Sequence, residues 1–357
     1  RSRRGAMHVA VGIFASRILG FARDRAIAHY FGLGPHADVF RTALRGPNLL
    51  QNLLGEGTIS ASFIPVYSRL LASGRAEDAG RLAGAVFGLL LAVAGGLSLL
   101  GVLAAKPIVA VLAAGFLEDA KSGAAVDRYR LTVQAVRYVF PMTGILVLSA
   151  WALGILNSHR RFLLSYAAPV LWNAAILAAL VWVGRGGAGA GRDHLLMAAC
   201  VGALVGGALQ FLVQLPSVLR LVEGLRVSTS LKTPGLSETL SAFGPAVLGL
   251  GALQLGGYLD TFLGSFLAPG AITAMGVAFT LYQLPVALLS RSVAVAALPE
   301  LSRRSADPQG LIGESELALR RLAFLNIPAV VAYLAFGSLI VTALYGTGSF
   351  GREESLL

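Results

Sequence analysis

The sequence predicts an all-α protein, a polytopic membrane helical bundle of about nine transmembrane helices, on three observations. Apolar residues make up 56% of the 357-residue chain, charged residues only 13%, and the mean hydropathy is +0.73; a soluble domain carries about a quarter charged residues. Stretches such as Ala83–Leu103 and Phe162–Val183 contain no charge, and about 20 such residues cross about 30 Å of hydrocarbon as helix. The short alternating segments of an outer-membrane barrel are absent from the sequence, so the backbone must satisfy its hydrogen bonds within helices.

The spans are expected at 7–32, 37–72, 80–115, 125–157, 162–184, 194–224, 236–266, 270–302 and 312–345. Several exceed the membrane thickness and should tilt or project beyond it. Orientation follows from the basic residues in the connections. Alternate ends carry Arg1, Arg3 and Arg4; Arg69, Arg75 and Arg81; Arg160 and Arg161; Arg220, Arg226 and Lys232; and Arg303, Arg304, Arg320 and Arg321. The opposite ends carry only Lys121, Arg128, Arg130, Arg185, Arg192 and Arg352. The N-terminus is therefore expected on the cytoplasmic side. The first span is too polar to follow Arg1-Ser2-Arg3-Arg4 as a cleavable leader, and the absence of an initial Met suggests a start further upstream.

The net charge of +11 would suggest nucleic acid in a soluble protein. Here most of it sits at helix ends on one side, so no nucleic acid partner is expected. Cys200 is the one cysteine, and the five histidines show no metal-ligand spacing. The charges inside the spans are more informative: Arg17, Arg23, Arg25, Arg41, Arg45, Lys106, Arg137 and Arg291 against Asp24, Asp38, Glu56 and Asp260. An ionised group at the bilayer centre costs at least about 2.5–3.5 kcal/mol, so such residues face wet cavities and mark function. Arg25, Lys106 and Arg137, nearer helix ends, have snorkelling to an interface as the alternative.

Two segments repeat. Asp24 is followed by Pro47 at 23 residues and Pro65 at 41; Asp260 is followed by Pro285 at 25 and Pro299 at 39. Helix pairs 1–2 and 7–8 thus read as copies of the same orientation. A parallel repeat with mid-helix prolines is transporter architecture, with the substrate between lobes; proline-kinked helices of an ordinary bundle are the simpler alternative.

Particular motifs carry a resemblance. Ser16-Arg17-Ile18-Leu19-Gly20-Phe21-Ala22-Arg23-Asp24, Tyr30-Phe31-Gly32, Ala37-Asp38-Val39-Phe40, Pro47-Asn48-Leu49-Leu50, Gly55-Glu56-Gly57 and Phe63-Ile64-Pro65 occur in order in the first two helices. Behind them come Gly154-Ile155-Leu156-Asn157-Ser158, Arg161-Phe162, Pro169 with Asn173, Leu298-Pro299-Glu300-Leu301-Ser302, and Tyr345-Gly346 with Phe350. Together they resemble the lipid II flippases (the MurJ/MviN family), within the multidrug/oligosaccharidyl-lipid/polysaccharide exporter superfamily. The resemblance implies a two-lobed exporter fold of fourteen helices, here truncated in the second lobe. The N-terminal lobe would be residues 1–225 (helices 1–6) and the partial C-terminal lobe 226–357 (helices 7–9).

It further implies carriage of lipid-linked peptidoglycan precursor across the bacterial inner membrane, with no reaction on the cargo and so no enzyme activity. Such a cargo needs a cationic cavity for its diphosphate; arginine suits this, being charged at any depth and able to donate two parallel hydrogen bonds to phosphate. By resemblance Arg17 and Arg23 belong to the central cavity and Asp24 is the acid that follows, orienting an arginine rather than touching substrate. Asp38, Arg41 and Arg45 share one face of helix 2 at i, i+3 and i+7, with a neutralising Asp38–Arg41 pair as the alternative.

Two positions depart from the family. Gln51 follows Pro47-Asn48-Leu49-Leu50, and Thr280 lies five residues before Pro285, where the family pattern has arginines. Arg291, 11 residues beyond Thr280, returns to nearly the same face about three turns deeper, although Pro285 intervenes; Arg41 could stand in on helix 2. Asp260 aligns with the family's sodium-site aspartate, whose companion ligands would come from helices 11 and 12, beyond this sequence; an interhelical hydrogen bond is its alternative role. No cofactor is expected beyond that sodium ion or coupling to the membrane potential. Expected partners are lipid II or a related polyprenyl-diphosphate glycan, membrane lipids, and cell-wall synthesis proteins. The competing functions are a flippase for another such glycan, which Gln51 and Thr280 favour, and a non-transporting scaffold or inactive fragment.

Overall fold

A computed structural model describes residues 2–185, 191–290, 293–294, 297, 301, 303 and 307–351. Helices fill it, and no strand occurs among the described residues. In chain order they are α1 (Ser2–Phe31), α2 (Pro35–Leu54), α3 (Glu56–Ala72), α4 (Ala76–Leu103), α5 (Ala105–Leu112), α6 (Leu117–Ser122), α7 (Arg128–Ser158), α8 (Phe162–Arg185), α9 (Arg192–Leu221), α10 (Leu236–Gly264), α11 (Ala271–Pro285) and α12 (Pro308–Tyr345). Six of these are long and apolar enough to cross a membrane by themselves: α4, α7, α8, α9, α10 and α12.

Three expected spans are interrupted, each for a local reason. The span expected at 37–72 breaks at Gly55, where a Cβ would lie 2.2 Å from the Gln51 carbonyl oxygen. The Leu53 carbonyl near this break accepts the Thr58 hydroxyl, so a half-buried acceptor keeps a partner. The span expected at 80–115 divides at Ala104 into α4 and α5. Pro107, three residues on, has no N–H to offer the Leu103 carbonyl. In the eighth span α11 ends at Pro285 and a π-helical turn follows over Val286–Ser290. The same deficiency leaves the Leu281 carbonyl open, and the Tyr333 hydroxyl donates to it at 2.8 Å. Tyr333→Phe should therefore lower stability by about 0.5–1.5 kcal/mol, read as a lower detergent-solution Tm.

The chain divides into two compact units, Arg1–Ile272 and Thr273–Leu357. This division differs from the lobe boundary expected at 225/226, because α10 packs along α2 and α3 within the first unit.

In the first unit α7 is the central pillar, contacted by α2, α4 and α9 and largely buried. Lipid tails are as apolar as leucine, so close packing and hydrogen bonds hold such helices together. Small residues make that packing possible. Gly202 and Gly206 of α9 lie against α8, where a Cβ on Gly206 would come within 2.8 Å of the Trp172 Cα. Gly101 of α4 receives the Phe140 ring of α7. Trp151 of α7, fully buried, donates its indole N–H to the Ala83 carbonyl of α4 at 3.1 Å.

A glycine stripe on α4 has a different partner. Cβ atoms on Gly80, Gly84 and Gly88 would lie 1.8, 2.0 and 2.2 Å from the carbonyl oxygens of Glu223, Arg226 and Ser228. The connector from α9 to α10 thus lies backbone-on-backbone along α4, and Ser228 N–H donates to the Gly84 carbonyl at 3.3 Å. Gly84→Ala should cost about 1–3 kcal/mol through overpacking. Faster proteolysis within residues 222–235 would accompany it.

Candidate functional site

Arg23 is held on several sides in the first unit. Its Nε and Nη2 donate to Asp24 Oδ1 at 3.0 and 2.6 Å, and Nη1 donates to Asn173 Oδ1 at 2.9 Å. The guanidinium plane lies over the Trp172 ring of α8, 5.1 Å from its centroid. Asn173 is itself fixed, since its Nδ2 donates to the carbonyls of Ser16 and Pro169 at 3.4 and 3.3 Å. Pairs of this kind suit a guanidinium whose rotamer is set in advance. The side chain keeps 19% exposure, and three of its five N–H groups are engaged among the described residues.

Arg17, on the same helix, is exposed. On α2, Arg45 is half-buried and places Nη1 where a Cβ on Gly257 of α10 would stand, 2.9 Å away. The Tyr258 hydroxyl donates to the Arg45 carbonyl at 3.0 Å. Gly257 thus lets the arginine approach α10, and Tyr258 ties the two backbones. Arg23 lies 8 residues before the end of α1, and Arg45 lies 10 residues after the start of α2. At 1.5 Å per residue both sit about 12–15 Å from that side. Arg41 and Gln51 are half-buried on the same helix.

Asp38 is fully buried. Its Oδ2 accepts the Gly270 N–H at 2.6 Å and lies 3.9 Å from Arg128 Nη1. Arg128 is also bound to Asp119 at 2.5 and 3.1 Å and covers the Phe116 ring at 4.4 Å. Gly270 has φ 99, a left-handed conformation that favours glycine. This network joins the start of α2, the start of α7, the short α6 and the turn after α10. Asp38 therefore fastens the segment after α10, an involvement its spacing to Arg41 does not suggest.

Asp260 is exposed near the end of α10. Among the described residues no group of three His, Cys, Asp or Glu side chains could hold a metal ion. Thr280 is half-buried in α11 and spends its hydroxyl on the Gly276 carbonyl at 2.9 Å. Arg291 lies outside the described residues. Arg25, Lys106 and Arg137 are exposed on their helices, where an extended side chain can reach an interface.

The structure thus joins Arg23 to Asp24 and Arg45 to α10, and places Asp38 in a separate buried network. Sequence reasoning missed Trp172, Gly257, Tyr258, Arg128 and Gly270 as partners. Only Asn173, an amide in the middle of an apolar helix four residues after Pro169, is a partner that the sequence marks. Two cavities in the first unit lie away from these arginines. One, of about 350 Å³, is lined by apolar residues of α4 and α7; the other is at the ends of α7, α8 and α9.

These features define a multi-pass helical membrane bundle with cations fixed among its spans. In fold it is similar to a solved structure of "Lipid II flippase MurJ, inward closed conformation", with a TM-score of 0.77, 23% identity, and coverage of 98% of this chain and 69% of that one. It is also similar to an inward-facing multidrug resistance MATE family transporter of the MOP superfamily, with a TM-score of 0.70 and 15% identity over 98% of this chain and 78% of that one.

The family model for the lipid II flippase MurJ matches residues 27–356, and the chain belongs to that family. Among curated relatives it is 29% identical over 95% of its length to a probable lipid II flippase MurJ of Vibrio cholerae. It is 31% identical over 94% of its length to the lipid II flippase MurJ of Burkholderia cenocepacia. The chain spans 64% of the length of each of these two relatives.

Proposed function

We propose that the intact protein is a flippase that carries lipid II across the bacterial inner membrane by alternating access, performing no chemistry on it. Membership of the MurJ family supports the cargo. The observation that carries the mechanism is Arg23, a cation on the first span whose guanidinium is oriented by Asp24, Asn173 and Trp172. Binding a diphosphate requires donors that replace its hydration without reorganising. Arg23 and Arg45 are the principal donors in this reading, with Arg17, Arg41 and Arg291 completing the set.

Asp24 acts as a positioning residue, and Asp38 fastens the turn after α10. Gln51 and Thr280 contribute neutral hydrogen-bonding groups. In this reading the first six expected spans, over residues 1–225, make one lobe of the intact protein, and residues 226–357 begin the other. The N-terminus is cytoplasmic by the arginine distribution. Sodium, bound with Asp260 as one ligand and oxygens from elsewhere in the intact protein, or the membrane potential supplies the driving force. Cell-wall synthesis proteins are the proposed neighbours.

Expression of the intact protein in a strain depleted of its own lipid II flippase should restore growth; failure of a well-expressed protein to do so contradicts the proposal. Gln51 and Thr280 favour a second reading, in which another polyprenyl-diphosphate glycan is carried. Accumulation of that precursor, with lipid II unaffected, on depletion in the native cell would select it. Rescue that survives loss of the arginines would point instead to a non-transporting scaffold.

A further inference from the structure

The ends of α7, α8 and α9 enclose a cavity of about 540 Å³ whose lining includes Arg160, Arg161, Arg220, Leu163, Leu164 and Leu221. None of the three arginines has a side-chain hydrogen bond or ion pair among the described residues. Exposed arginines at several other helix ends are paired, Arg69 with Glu238, Arg75 with Asp78, Arg81 with Glu77 and Arg320 with Glu316, while Arg185 at the end of α8 stands alone among the described residues and lines no such cavity. Here three positive charges converge on a concavity with no carboxylate in its lining.

The backbone adds to this. Arg160 adopts φ 58, where glycine is the unstrained residue at a helix end; the sequence places a cation there against the backbone preference. The first N–H groups of α8, those of Phe162, Leu163 and Leu164, have no acceptor among the described residues. They add the positive end of a helix dipole to the same cavity. His159, beside it, is held below its ordinary pKa by burial and then by the charge of Arg161. The remaining wall is apolar, with Leu163 47% exposed.

An anion with a short apolar continuation matches these surfaces. We propose that this cavity binds the phosphate of an anionic phospholipid, with its glycerol and first acyl carbons against Leu163, Leu164 and Leu221. Basic pockets between helix ends on the arginine-rich side of a membrane protein suit such headgroups. The site shares no residue with the proposed cargo site, so it stands or falls independently of the flippase reading.

The test uses the intact protein in nanodiscs of phosphatidylcholine containing a minor fraction of phosphatidylglycerol, reading the lipid that co-purifies by mass spectrometry. The wild type should retain phosphatidylglycerol preferentially. The combined Arg160→Gln, Arg161→Gln and Arg220→Gln variant should lower that preference at least about tenfold, since each cation near a charged surface contributes about fivefold. Leu163→Trp, which fills the cavity and keeps every charge, should lower it as well. A control with Arg69→Gln, Arg75→Gln and Arg81→Gln should stay within about twofold of wild type. Unchanged preference in the cavity variants overturns the proposal, as does an equal loss in the control. So does displacement of phosphatidylglycerol by millimolar inorganic phosphate, which would make the cavity a free-anion site.

Discussion

Arg23→Ala in the intact protein should abolish rescue of a flippase-depleted strain, with the protein still present in the membrane. Truncating one partner of a desolvated, hydrogen-bonded charge pair costs about 2–5 kcal/mol, which is more than 30-fold in binding. Here the substitution removes the proposed cargo donor and strips Asp24 of the guanidinium that occupies its Oδ1. Arg23→Lys keeps the charge but loses the fork, so it cannot satisfy Asp24 and Asn173 together. Partial rescue is expected from it. Asn173→Ala and Trp172→Leu leave Arg23 in place with one restraint fewer. Each should weaken transport less than Arg23→Ala, by about the 0.5–2 kcal/mol that a cation–π contact is worth in the Trp172 case. The order of effects, measured by growth at matched expression, separates a donor from the residues that aim it.

Arg128→Met should destabilise the fold by about 3–5 kcal/mol, the cost of breaking a buried ion pair from one side. Asp38 is fully buried and Asp119 nearly so, and both would lose the guanidinium that faces them. Asp38→Asn should be much milder, within about 1.5 kcal/mol, because an amide oxygen still accepts the Gly270 N–H. Thermal unfolding in detergent reads both. Equal losses from the two variants would show that Asp38 matters through its charge rather than as an acceptor for the turn after α10.

The helices themselves were legible because uncharged runs longer than the hydrocarbon thickness leave the backbone one solution. Their interruptions were less so. Pro107 marked the α4–α5 break in principle, but a proline near the start of a helical segment reads equally as a continuation. Gly55 sits in a motif that no spacing rule distinguishes from tolerated helix glycine. Gly80, Gly84 and Gly88 look like a helix–helix stripe, and only the folded chain lays an extended connector on them.

At the site, residue types were readable but partners were not. For Asp38 the sequence offers Arg41 at i+3, and the fold adds Gly270 and Arg128 from distant segments. Arg23 and Asp24 are neighbours in sequence, yet the amide and the ring that complete the clamp come from α8, 150 residues away in the case of Asn173. Parallel-repeat spacing located Pro285 without revealing that Tyr333 answers the carbonyl it frees.

Reconstitution decides whether the clamped guanidinium handles diphosphate. Fluorescent lipid II should cross proteoliposomes containing the intact protein, and Arg23→Ala should slow it more than 30-fold while leaving the folded fraction unchanged. Equal rates for wild type and Arg23→Ala would contradict the account.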